Sequence, residues 1–244
     1  MRANSELSSR RMFLRGLTIG AAFFSVPGLF AQTLKETAAL GEGPFYPDKM
    51  PLDTDNDLLI LNNSISPAVG QITHLTGRLL SSSGQPVRNA FIEIWQTDMK
   101  GSYIHKDGEN TGGRDRNFQG YGRFLTDSKG QYYFRTIKPV PYTLQGQFRA
   151  PHIHFAISKN GKRIFTTQLL VKGHEANARD SILRGNNRDP RSLETVLVDF
   201  KSLEGSKIGE LTANFDIIPG RTASELEDGS LLGGIGKPEG LRTR

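Results

Sequence analysis

From Ile72 onward the chain alternates short apolar runs with clusters of Gly, Pro, Asn and Asp. The runs "ITHLTGRLL", "NAFIEIWQT", "GRFLTD", "QYYFRTI", "HIHFAIS", "RIFTTQLLV", "ETVLVDF" and "ELTANFDIIP" are rich in β-branched and aromatic residues, the composition of strands. Between them, "SSSGQP", "DSKGQ" and "KNGKR" carry turn chemistry. Helical periodicity is scarce, and its best case is the short segment from Glu175 to Leu183. Many short strands with regular turn signals predict an all-β fold, an antiparallel sandwich with little helix. Two long irregular stretches, Asp98 to Gly122 and Lys138 to Pro151, interrupt the pattern. Loops of that length in a compact domain often carry function, so they are expected to border an active site.

One run differs from the rest. In "RAPHIHFAIS", His152 and His154 stand two apart in a strand-like segment. Successive side chains of a strand point to opposite faces, so the two imidazoles share one face while Ile153 and Phe155 share the other. Two imidazoles placed so are either stacked surface polars or half of a metal site, and the apolar run around them argues against simple exposure. By itself the pair leaves the metal open, because several unrelated folds use the same spacing.

The N-terminus belongs to something other than the sandwich. "SSRRMFLRG" precedes the apolar run "LTIGAAFFSVPGLFAQ", which is interrupted by Pro27 and is shorter than the ~20 residues of a membrane-spanning helix. Arg10 and Arg11, flanked by Ser9, Met12, Phe13 and Leu14, resemble a twin-arginine export signal over residues 1–31. That resemblance implies passage through the twin-arginine translocation machinery and a periplasmic or extracellular location, with a retained N-terminal anchor as the alternative. The domain proper is then expected over 32–218, followed by a Gly-rich, charged tail over 219–244 that is either extended or used in subunit contacts.

Composition narrows the partners. Hydrophobic residues make up 36% of the 244 and charged residues 23%, as in ordinary globular proteins. The net charge of +6 is concentrated at the start. Residues 1–31 hold four arginines and one glutamate, leaving 27 basic and 24 acidic residues beyond them. A net +3 without an aromatic-interleaved basic stripe argues against nucleic-acid binding. The chain has no cysteine, which excludes disulfides and thiolate metal sites.

Both irregular stretches contain a tyrosine, Tyr103 in "GSYIHKDG" and Tyr142 in "IKPVPYTLQG". A phenol with a pKa near ~10 needs a strong Lewis acid to ionise at neutral pH, and ferric iron is one. Two phenolates and two imidazoles suit Fe(III) with a further position for water, whereas Fe(II) oxygenases favour two histidines and a carboxylate.

The runs "GRFLTDSKGQYYFRTIKPVPY", "RAPHIHF" and "TTQLLV", with "VRNAFIEIWQTDMKGSYIHKDG" and "GEGPFYPD" upstream, resemble the intradiol ring-cleavage dioxygenases. The likeness is greatest to the iron-bearing β subunits of the protocatechuate-cleaving members and runs from Gly41 to Asp216. It implies a non-haem Fe(III) enzyme that opens a vicinal aromatic diol with O2 to a muconate-type diacid. It further implies Tyr103 and His152 as equatorial ligands, Tyr142 and His154 as axial ones, Arg149 beside the substrate ring and Gln168 assisting it. The span "YTLQGQFR" is shorter than its family counterpart, with Phe148 where tryptophan is common, so the substrate is left open among catechol, hydroxyquinol, protocatechuate and larger diols. A homo-oligomer is expected, and the family also offers a partner chain. Two rivals stand beside this reading. "LTGRLLSSSGQPVRNAFIEIWQTD" on its own would suit a non-catalytic transthyretin-like binding sandwich, and the histidines could hold copper or zinc. His105, two residues after Tyr103, could face the site but reads first as hydrogen-bonding within its loop, while His74 and His174 have no ligand-like partner in the sequence. Trp95, Tyr132 and Tyr133 read as core strand residues, and Tyr121 as either pocket lining or turn packing.

Overall fold

The computed structural model describes residues 34–244 apart from 48, 62–65, 106–112, 145, 185–189, 220–223, 226–230 and 233–244. The export segment at 1–31 and most of the tail after Pro219 lie outside the described residues.

Two sheets form the sandwich. One contains β1 (Ile72–Arg78), β4 (Gln131–Ile137), β10 (Phe200–Ser202) and β11 (Leu211–Asn214), in the order β10-β11-β1-β4. The other contains β2 (Phe91–Trp95), β3 (Tyr121–Leu125), β7 (His152–Lys159), β8 (Lys162–Val171) and β9 (Leu197–Val198), in the order β3-β2-β7-β8-β9. β5 (Tyr142–Leu144) and β6 (Gln147–Arg149) make a separate hairpin. β12 (Ser224–Glu225) and β13 (Leu231–Leu232) pair within the tail.

The strands follow the apolar runs because alternation buries one face of each. In β7, Ile153, Phe155 and Ile157 enter the core with Ile92, Ile94, Phe165 and Leu169 of the same sheet and Leu75, Phe134 and Ala213 of the other. Phe155 bridges the sheets, with ring centroids 6.0 Å from Tyr132 and 5.1 Å from Phe215. Each such residue, fully buried, contributes ~1.5–3 kcal/mol. The turns follow from local chemistry. Asn160 and Gly161 both take positive φ between β7 and β8, the backbone that a two-residue hairpin demands.

Two features depart from the sequence reading. β1 pairs with β11 and β8 with β9 in parallel, so the sheets are mixed. Strand direction between segments far apart in the chain is set by the path of the intervening connections, which alternation does not encode. The stretch from Lys138 to Pro151, expected to be irregular, holds the β5–β6 hairpin. The short helical segment expected near Glu175 is present, as a 3-10 turn, Glu175–Arg179, and a single helical turn, Ser181–Arg184.

Candidate metal centre

The outer face of the five-stranded sheet carries the site. Across three neighbouring strands Trp95, His154 and Gln168 stand directly opposite one another, and residues so paired project to the same face. His152 lies two residues from His154 on that face. Tyr103 arrives from the loop after β2, shaped by the buried Asp98. The Asp98 Oδ1 accepts the N–H groups of Lys100 (2.8 Å) and Ser102 (3.0 Å), and its Oδ2 accepts that of Asp115 (2.6 Å). Tyr142 opens the β5–β6 hairpin directly opposite Arg149, so one hairpin delivers both.

These elements bring four donor atoms to one point. The Tyr103 hydroxyl lies 2.8 Å from that of Tyr142, 2.9 Å from His154 Nε2 and 3.4 Å from His152 Nε2. The Tyr142 hydroxyl is 3.4 Å from His152 Nε2, and the two Nε2 atoms are 3.1 Å apart. All four residues are buried. His152 Nδ1 lies 2.6 Å from the Ala150 carbonyl, so Nδ1 carries the proton and donates it, and the Nε2 lone pair faces the cluster. His154 is stacked on Trp95, centroids 4.8 Å apart and planes 6° from parallel, and its buried Nδ1 has no hydrogen-bond partner among the described residues.

Burial sets the protonation states. It pushes His152 down to about 3, with the Arg149 charge acting in the same direction, and holds His154 well below the usual imidazole range with help from His152 and Arg149. Burial likewise raises Tyr103 well above the usual phenol range, reinforced by Tyr142. It raises Tyr142 as well, opposed by the Tyr103 hydroxyl and the Arg149 cation. The protein alone therefore keeps both imidazoles neutral and both phenols protonated. Neutral imidazoles are ready ligands, and the phenols become ligands when a cation replaces their protons. Among the described residues no group of three or more His, Cys, Asp or Glu is placed to hold a metal ion. Two phenol oxygens and two imidazole nitrogens fit a ferric ion.

Arg149 and Gln168 adjoin the cluster as a pair, the arginine donating from a terminal nitrogen to Gln168 Oε1 at 2.7 Å. Gln168 Nε2 in turn donates to the Gly41 carbonyl at 2.9 Å. A residue that the sequence reading missed, Asp180, accepts the Arg149 Nε–H at 3.0 Å and the Ala150 N–H at 2.8 Å. Burial would raise the Asp180 carboxyl, but the Arg149 charge and the Ala150 N–H outweigh it and hold the group below its usual value. The signal available was an Asp before "SILR", which reads only as a helix cap.

The segment "GEGPFYPD" acquires a physical role. Phe45 stacks on Tyr103 at 4.8 Å, and Gly43 packs beside His154 with positive φ. Glu93, also missed, anchors the segment from below. Its Oε1 accepts the hydroxyls of Tyr46 (2.8 Å) and Tyr121 (2.5 Å), and its Oε2 accepts Arg163 (3.0 Å), which also pairs with Glu42 (2.6 Å). Burial, then Glu93, pushes Tyr46 up to about 12.

The remaining residues divide. Trp95 and Tyr132 are both buried strand residues as expected, Tyr132 between the sheets and Trp95 in the aromatic cluster around the ligands. Tyr133 is half-buried and hydrogen-bonded to His74, which also reaches Glu210. His174 caps the 3-10 turn, and His105 bonds the Lys49 carbonyl rather than a group of its own loop. A surface depression of about 350 Å³ lined by Ser81–Ser83, Arg88 and Lys159 lies at the opposite end of β7 from the histidines.

Residues 41–217 match the dioxygenase family model, and the chain belongs to the intradiol ring-cleavage dioxygenases, a family of enzymes. That membership sets aside the non-catalytic binding sandwich. Among its relatives, the protocatechuate 3,4-dioxygenase β chain of Burkholderia cepacia is 35% identical over 203 residues, 80% of this chain and 84% of that one. Catechol 1,2-dioxygenase 2 of Acinetobacter lwoffii is 31% identical over 146 residues, 54% of this chain and half the length of that protein. In fold, the chain resembles catechol 1,2-dioxygenase from Acinetobacter sp. ADP1, with a TM-score of 0.61 at 23% identity over 94% of this chain and 72% of the other. It also resembles the dioxygenase domain of a carbohydrate-binding fusion protein from Streptomyces sp. SirexAA-E, with a TM-score of 0.55 at 24% identity over 77% and 99% of the two chains.

Proposed function

We propose that this chain is a non-haem Fe(III) enzyme that cleaves a catechol- or protocatechuate-type diol between its two hydroxyl-bearing carbons, incorporating both atoms of O2. The observation that carries the proposal is the convergence of the Tyr103 and Tyr142 hydroxyls with the His152 and His154 Nε2 atoms, each no more than 3.4 Å from two others. These four residues would hold the iron, whose chemistry when bound is Lewis-acid activation of a chelated diol toward O2. Once a bound cation has replaced its proton, the Tyr142 oxygen would be the group suited to take a hydroxyl proton from the incoming diol. The Arg149 guanidinium stabilises negative charge on the ring, as a fixed cation does in a site shielded from water. Gln168 orients Arg149 through its Oε1. Phe45 and Trp95 cover the ligands and exclude water from them.

The substrate follows from the relatives only as far as their names, one acting on protocatechuate and the other on catechol. The visible spectrum of purified protein, with iron analysis, before and after anaerobic addition of several catechols tests the reading. A red-brown tyrosinate-to-iron band that shifts with one diol is expected and ranks the substrates. Protein that remains colourless after ferric iron is supplied would remove the iron assignment.

Residues 1–31 direct the domain 32–218 through the twin-arginine route to the periplasm or beyond. Replacing Arg10 and Arg11 with lysines is expected to retain the protein in the cytoplasm, and undiminished export would refute the route. The chain assembles as a homo-oligomer. The "beta chain" in the Burkholderia name is the observation that favours a partner chain instead, and the mass of the native particle distinguishes the two.

A further inference from the structure

Asp180 is fully buried, yet its carboxylate does more than cap a helical turn. A cap needs one oxygen, and the Oδ1 serves there, accepting the Leu183 N–H at 3.2 Å. The Oδ2 is committed elsewhere, to the Arg149 Nε–H at 3.0 Å and the Ala150 N–H at 2.8 Å. Arg149 is also held through a terminal nitrogen by Gln168 at 2.7 Å. Bonds to two different nitrogens of one planar guanidinium fix its plane as well as its position. A single bond to Gln168 would leave the group free to rotate about that contact.

We propose that Asp180 is a positioning residue for Arg149, holding the guanidinium in the one orientation in which it faces the diol site. The proposal rests on the reading of Arg149 as the residue beside the substrate ring. A competing route exists on the same carboxylate. Ala150, whose N–H binds Asp180, offers its carbonyl to His152 Nδ1 at 2.6 Å, so a disturbance at Asp180 could instead reach the metal ligand.

The test is a double-mutant cycle on the iron-loaded enzyme, reading single-turnover ring cleavage by the ultraviolet absorbance of the diacid, together with KM and iron content. Asp180→Asn is expected to slow cleavage on the order of ten- to a hundred-fold, the scale of an ångström-level misplacement, with KM nearly unchanged and iron retained. In the Arg149→Met background the same substitution is expected to change the rate less than about two-fold, because the group it positions is gone. An equal loss in both backgrounds would overturn the proposal. Loss of iron in Asp180→Asn but not in Arg149→Met would also overturn it, since the effect would then run through His152. An Arg149→Met enzyme as fast as wild type would refute the underlying reading of Arg149 and is distinguishable from either. Should Asp180→Asn yield no soluble protein, Asp180→Glu keeps the buried anion, displaces the carboxylate by one methylene, and enters the same cycle.

Discussion

Glu93 holds the segment that covers the site, and Glu93→Gln is the substitution that most directly measures that restraint. The carboxylate is 2% exposed and its partner Arg163 is 9% exposed. Removing the charge leaves a buried guanidinium opposite an amide. Breaking a buried ion pair from one side costs about 3–5 kcal/mol. Two features place this case at the lower end. The glutamine oxygen can still accept the Tyr46 and Tyr121 hydroxyls, and Glu42 still pairs with Arg163 at 2.6 Å. A loss of about 3 kcal/mol in a domain of this size lowers Tm by about 6–12 °C. Thermal unfolding of the metal-free protein, followed by circular dichroism, reads that shift without interference from bound metal. Glu42→Gln is the control, because the Glu42 side chain is 39% exposed and its pair is expected to contribute under about 1 kcal/mol. A Glu93→Gln protein within about 2 °C of wild type would refute the reasoning, as would a Glu42→Gln protein equally destabilised.

Three further outcomes follow from the ligand cluster. The metal-free protein should be acid-labile in a defined window. His152 and His154 are held neutral by burial, His152 with its pKa at about 3, whereas in the unfolded chain they titrate near ~6.5. Their stabilisation is therefore complete above about pH 6.5 and is lost progressively as the pH falls below it, because the unfolded chain takes up protons that the buried pair refuses. Urea midpoints measured from pH 7.5 to 4.5 should fall steeply below 6.5, and a flat profile would contradict the neutral pair. His154→Ala removes one of four ligands and should abolish stoichiometric iron binding by metal analysis, so retained iron would show the ligand set to be wrong. Tyr142→Phe should keep some iron but slow diol chelation, because a ligand and a proton acceptor are gone. Stopped-flow binding of catechol at the wild-type rate would exclude that role.

Much of this protein is written locally in its sequence. Alternation places His152 and His154 on one face of β7 and Ile153 and Phe155 on the other, because the strand repeat of two leaves no other choice once a core exists. The apolar runs and their Gly, Asn and Asp punctuation locate most strands of the sandwich, since each burial pattern and each turn is decided within a few residues. The motifs around Tyr103, Tyr142 and His-x-His carry the family likeness. What tertiary structure alone decides is what depends on residues far apart in the chain meeting. The parallel pairings of β1 with β11 and β8 with β9 depend on the path of long connections, which strand composition does not record. Trp95 reads as one more core aromatic until the register of β2 on β7 places it opposite His154. Asp180 reads as a cap until folding brings it to Arg149 across 31 residues, and Glu93 as a strand carboxylate until Tyr46, Tyr121 and Arg163 close around it. A buried charge is tolerable only with partners, and those partners come from elsewhere in the chain.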